Sequence, residues 1–272
     1  MKDRSAAGLS IGFAATVLLG AFLLFQVQPL FSRLILPWFG GSPAVWTTCL
    51  LFFQTVLLAG YAYAHGLSQV QPVSRQVVIH LTLAALALLL LPITPGGSWQ
   101  PQDGTHPIGS ILLLLTRHVG LPYLLLAATS PLVQAWFAAV YAQRSPYRLY
   151  ALSNFGSLAG LISYPFVVEP LLTTDRQGAM WSAAFGGYAV LCGVLALRLR
   201  RLPLPGAAVH RASRTAVPGK EASPSENRWV WWILLPALGH VCLILGVCTL
   251  TIGAGYLFTG MFHALQGEAL ES

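Results

Sequence analysis

The chain contains long stretches with no formal charge. Between Arg4 and Arg33, between Arg33 and Arg75, and between Arg75 and Asp103 there is no Lys, Arg, Asp or Glu. An apolar run of about 20 residues is what a helix needs to cross a hydrocarbon core of about 30 Å. A water-soluble domain of 272 residues could not hide so much apolar surface, because most of its exterior must face water. Only 8% of the residues are charged and 56% are hydrophobic, against about 25% charged in an ordinary soluble domain. The expected fold class is therefore all-α, a polytopic transmembrane helical bundle whose main partner is the lipid bilayer.

Trimming the charge-poor windows at Pro, Gly and polar clusters leaves seven candidate spans: Leu9–Pro29, Ala44–Ala64, Val77–Ile93, Ile111–Leu132, Leu149–Val168, Ala179–Leu197 and Trp229–Thr251. The fourth is interrupted by Arg117 and Pro122. The first is too long for a signal-peptide core and lacks a small-residue cleavage site, so it is expected to be a mature span. These windows divide the chain into a six-span membrane domain (1–197), a Pro- and Ser-rich basic linker (198–228), and a seventh span with a short tail (229–272). Cys49, Cys192, Cys242 and Cys248 fall inside spans without metal-ligand spacing and are expected to be small buried hydrophobes.

LPWFGGSPAVW (Leu36–Trp46) separates the first two spans. Pro37 should stop the first helix, and Gly40-Gly41 should permit a sharp reversal. Ser42 should cap the next helix with Pro43 in its first turn. Ser145-Pro146 repeats the device before span five. Trp38 and Trp46 then fall at the membrane interface.

Orientation follows from the basic residues. The N-terminus and the even-numbered loops carry twelve Lys and Arg, seven of them from Arg198 to Arg228; the other side carries Arg33, Arg117 and Arg176. Positive charge is retained on the cytoplasmic side, so the N-terminus is expected inside. The net charge of +7 is thus accounted for by topology, with no nucleic-acid partner implied.

Self-comparison indicates a repeat. Pro29-Leu30 precedes Pro131-Leu132 by 102 residues, and Ser42-Pro43 precedes Ser145-Pro146 by 103. Units of about 9–93 and 111–197 would each hold three spans, and an odd number of crossings inverts the second copy. That 3+3 inverted arrangement is the plan of one major-facilitator-like six-helix half. Pro29 and Pro131, with Gln28 and Ser130 beside them, should then face the junction between the triplets.

Three ordered blocks carry a family likeness: FQVQPLFSRLILPWFGGSPAVWTTCLLFFQTVLLAGYAYAH (Phe25–His65), GLPYLLLAATSPLVQAWFA (Gly120–Ala138) and SPYRLYALSNFGSLAGLISYPFVVEP (Ser145–Pro170). The sequence resembles, over about residues 9 to 200, the amino-terminal membrane region of bacterial fused major-facilitator/spermidine-synthase-like proteins. The resemblance implies a multi-pass protein of a bacterial inner membrane. It also implies a following soluble domain of aminopropyltransferase type, using decarboxylated S-adenosylmethionine. Only about 20 residues follow the seventh span, and the Gly-rich GAGYLFTG (Gly253–Gly260) follows an apolar run rather than a soluble strand. That catalytic domain is therefore expected to be absent, with no enzyme activity and no cofactor.

Intramembrane polar residues mark pathways or helix contacts. The candidates are Gln26 and Gln28 before Pro29, Gln54 in span two, Arg117 in span four, Asn154 and Ser157 in span five, and Glu169 at its end. Asn154, Ser157 and Gly160 are spaced for close helix packing, with substrate contact the alternative. Arg117 should snorkel, and if it has an intramembrane partner it is Glu169. No carboxylate lies mid-span, which disfavours proton coupling and carriage of a polyamine. His80 and His240 are expected to be packed or paired rather than ligands. Two functions remain: a transporter-like module, requiring a homodimer or another membrane subunit to complete it, or a membrane anchor or partner subunit for a separately encoded aminopropyltransferase-like enzyme.

Overall fold

The computed structural model describes residues 2–100, 107–141 and 146–200, with side chains from residue 8 onward. All regular elements among these residues are helical: α1 (Lys2–Phe39), α2 (Pro43–Gln69), α3 (Val73–Leu88), α4 (Pro107–Val140), α5 (Tyr147–Leu171) and α6 (Thr174–Arg200). Five of the six are long and apolar enough to cross a membrane; α3, with 16 residues, is the shorter exception. Each coincides with one of the first six expected spans. The expected seventh span, Ser145 and most of the 198–228 linker lie outside the described residues.

Five helices overrun the boundaries drawn from sequence, whereas α3 stops at Leu88, short of the expected Ile93; in α1 a proline passed through is the reason. α1 passes through both Pro29 and Pro37 and ends at Phe39, so Pro37 does not stop it. A proline costs a membrane helix one hydrogen bond, and neighbouring groups can take up the freed carbonyl. The reversal comes from Gly40, whose φ of +76° a residue with a Cβ rarely adopts. The α2 cap forms as expected, with the Ser42 hydroxyl accepting from the Val45 amide at 3.4 Å and Pro43 opening the helix.

Two prolines have a different effect. Pro122 has no N–H for the His118 carbonyl, and Pro170 has none for that of Phe166. Each lies two residues beyond a widened π turn, Thr116–Gly120 in α4 and Tyr164–Val168 in α5. Such turns are where a helix absorbs a break in its i→i−4 ladder. Arg117 therefore does not split span four: the helix continues across it.

α3 is about 24 Å long at 1.5 Å per residue, short of a full crossing. The chain completes the distance as the irregular segment 89–96, against α6. The Ile93 amide donates to the Ser182 hydroxyl at 3.2 Å, and Ile93 itself is fully buried. Non-helical backbone at membrane depth requires such a partner.

Packing is dominated by two crossed pairs, α1 against α5 and α2 against α4; α1 also lies along α4 and α6, and α3 along α6 and α4. Apolar burial does not draw helices together in lipid, so close backbone approach matters more. A Cβ added at Gly156 would stand 2.6 Å from the Leu18 carbonyl oxygen, and one at Gly160 would collide with the Phe22 carbonyl. At the other pair, a Cβ on Gly60 would meet the Ala127 Cβ at 2.6 Å. The bundle interior is filled by Phe13, Phe31, Tyr123, Trp136, Phe185 and Tyr188.

Candidate binding cavity

Pro29 and Pro131 each deprive one carbonyl of its helical donor, that of Phe25 in α1 and that of Ala127 in α4. Phe25 and Ala127 both line a cavity of about 500 Å³ at the α1–α4 junction, closed further by α2 and α5. Its polar lining is Tyr61, Ser130, Gln134, Tyr150, Ser153, Asn154 and Ser157; its apolar lining includes Ala21, Leu24, Leu126 and Pro131. Among the described residues, no Lys, Arg, His, Asp or Glu takes part. The cavity draws on the middle of α1, the later turns of α2 and α4 and the first turns of α5. It therefore occupies the end of the bundle where α2 gives way to α3.

Several of these groups are already engaged. The Gln134 amide donates to the Ser130 hydroxyl at 2.8 Å, and Ser157 donates to the Ser153 carbonyl at 3.0 Å. Tyr61 and Tyr150 are 48% and 57% exposed and Asn154 is also exposed, so the cavity opens sideways between α2 and α5.

The opposite end is tied shut across α1. Gln28 donates to the Tyr123 hydroxyl of α4 at 3.0 Å. Arg33 pairs with Glu169 of α5 at 3.3 Å, and at the level of the cavity Trp181 of α6 donates its indole N–H to the Leu23 carbonyl at 3.0 Å. Gln177 links α6 to α5, accepting from the Tyr164 hydroxyl at 2.9 Å.

Of the residues singled out from sequence, Asn154 and Ser157 line the cavity, and Gln28 sits just beyond it on the closed side. Gln28 and Ser130 both face the junction between α1 and α4, as their places beside the two prolines suggested. Gln26 and Gln54 are half-buried and outside the lining. Arg117 is exposed in the π turn of α4, and the partner of Glu169 is Arg33 rather than Arg117. Gly160 serves close packing, as its spacing implied. Cys49 and Cys192 are buried thiols.

His80 is buried beside Tyr63, whose hydroxyl lies 3.2 Å from Nδ1, with Trp136 edge-on. Gln76 accepts from the Trp136 indole at 2.8 Å and donates to the Val70 carbonyl at 2.8 Å, fixing the α2–α3 turn. Sequence reasoning passed over Gln76, Gln134, Tyr61 and Tyr150. An aromatic or amide in an apolar helix carries no local sign of which neighbour it meets.

No known protein family matches this chain, nor does any curated protein or solved structure.

Proposed function

We propose that the chain is a transporter-like membrane unit of major-facilitator type, in which α1–α3 and α4–α6 are inverted copies of one triplet and the cavity receives the substrate. The observation that carries this reading is the pattern of helix pairing. Exchanging α1 with α4, α2 with α5 and α3 with α6 leaves the main pairings unchanged. The α1–α5 contact corresponds to α2–α4, α1–α6 corresponds to α3–α4, and α1–α4 and α3–α6 map onto themselves. Under that exchange Pro29 answers to Pro131, and Phe25 to Ala127. The α1–α4 contact, which maps onto itself, then straddles the axis relating the triplets with the cavity beside it, and inverted-repeat transporters bind substrate at such a repeat interface.

Alternating access needs a site open on one side and closed on the other. The cavity at one end, with Gln28–Tyr123 and Arg33–Glu169 at the other, fits one such state. With the N-terminus cytoplasmic, that state faces inward. The lateral opening also bears on assembly, since Tyr61, Tyr150 and Asn154 would be costly against hydrocarbon. A second copy of this chain covers that side and supplies the other half of the carrier.

The test is flux. Proteoliposomes holding the full chain are assayed with labelled small polar solutes, and Asn154→Leu should cut uptake at least about tenfold, the worth of one lost hydrogen bond to substrate. Absence of flux for every solute, with co-purification of a soluble aminopropyltransferase-like enzyme, would favour the anchoring role instead.

A further inference from the structure

We infer that the cavity takes a neutral organic molecule that donates and accepts hydrogen bonds at the two ends of a short apolar body, of the amide or polyol class, and not an ion. This rests on the reading of the cavity as a substrate site and narrows what that substrate is. The absence of charged side chains from the lining, among the described residues, is the first observation. An anion would find no cation there, and a cation no carboxylate, so either would lose its hydration without a counter-charge.

The balance of donors and acceptors is the second. The Phe25 and Ala127 carbonyls lose their helical i→i−4 donor to Pro29 and Pro131, and both residues line the cavity. Gln134 has committed one amide N–H to Ser130, which leaves its second N–H as a donor and its Oε1 as an acceptor. Ser157 has committed its hydroxyl proton to the Ser153 carbonyl and likewise retains lone pairs. The Tyr61, Tyr150, Ser130 and Ser153 hydroxyls can each donate as well as accept, so the lining offers both, and a ligand that both donates and accepts satisfies it. Asn154, with both an acceptor and two donors, can receive either end of such a molecule. Leu24 and Leu126 supply apolar wall between these polar points. Ligand cavities of about 300–1,000 Å³ accept small organic molecules, and this one falls within that range.

Three probes of one length separate the chemistries: adipamide, hexane-1,6-diamine and adipate, which are neutral, cationic and anionic. Thermal unfolding of the purified full chain in lipid nanodiscs is followed as each is titrated at constant ionic strength. Adipamide should raise the midpoint saturably, and the other two should not at the same concentrations. Asn154→Leu should weaken adipamide about tenfold, whereas Thr82→Val, on the exposed face of α3, should leave it unchanged. Stronger stabilisation by the diamine or by adipate, no stabilisation by any probe, or an adipamide effect indifferent to Asn154→Leu would each overturn the inference. Adipamide binding without solute flux would leave the inference standing and remove the transport reading. Flux of other solutes without adipamide binding would do the reverse.

Discussion

Arg33 reaches across from α1 to the far end of α5, where its Nη1 lies 3.3 Å from Glu169 Oε1 and 3.2 Å from the Glu169 backbone carbonyl. The two side chains are 37% and 48% exposed, so water and salt screen the pair. It joins the end of α5 to α1.

The first prediction follows from that exposure. Glu169→Gln should cost less than about 1 kcal/mol of stability, yet it should increase the accessibility of residues beneath the pair. A thermal midpoint in nanodiscs reads the first quantity. Maleimide labelling of a cysteine placed at Gln28, in a background with the native cysteines replaced by alanine, reads the second. A large stability loss with unchanged labelling would mean that the pair is structural.

The crossed helix pairs make a sharper demand. Gly160→Val drives a side chain into the Phe22 carbonyl and should destabilise by about 1–3 kcal/mol, the usual cost of overpacking. Gly66→Ala, where an added Cβ meets nothing within 4 Å, should be neutral or slightly stabilising through helix propensity. Unfolding of the two variants in mixed detergent micelles would rank them, and equal effects would contradict the α1–α5 contact.

Gln76 offers a test of buried polarity. Gln76→Met removes the acceptor of the Trp136 indole and the donor to the Val70 carbonyl. Leaving buried groups unpaired costs about 1–3 kcal/mol each. The loss should appear as a lowered thermal midpoint, and Gln76→Met with Trp136→Phe should recover part of it, since the second change removes the orphaned N–H.

Topology can be checked at described turns. Single cysteines at Gly41 and Gly97 should react with a membrane-impermeant maleimide added outside cells, and one at Gln71 should not until the membrane is opened. The opposite result would invert the orientation drawn from the Arg and Lys distribution.

What was legible in the sequence was whatever lipid enforces locally. Long charge-free runs mark helices because nothing else satisfies the backbone in hydrocarbon, and the six described helices fall where those runs are. Ser42 and Gly40 were legible because a cap and a positive φ are each set by one residue. Pro37 misled, because a soluble helix would have ended there and a membrane helix need not. Pro122 and Pro170 gave no warning of π turns, since the ladder defect appears only once the helix continues past them. Pairings were the least legible. Arg33 and Glu169 are 136 positions apart, and Gln76 and Trp136 are 60, and no periodicity spans such distances. The cavity combined both cases: Asn154 and Ser157 stood out as polar in an apolar run, whereas Tyr61 and Tyr150 looked like ordinary aromatics.

The unequal helix lengths have a consequence for the surrounding lipid. α3 covers about 24 Å, whereas the 34 residues of α4 run to about 51 Å. No flat bilayer matches both. The long helix must lean or protrude, whereas the chain on the α3 side reaches across only with the irregular segment 89–96. That mismatch makes the preferred environment of the protein a matter of lipid chain length. Vesicles of long-chain phosphatidylcholine should accommodate α4 with less tilt than short-chain ones, and such preferences sort membrane proteins among bilayers of different thickness.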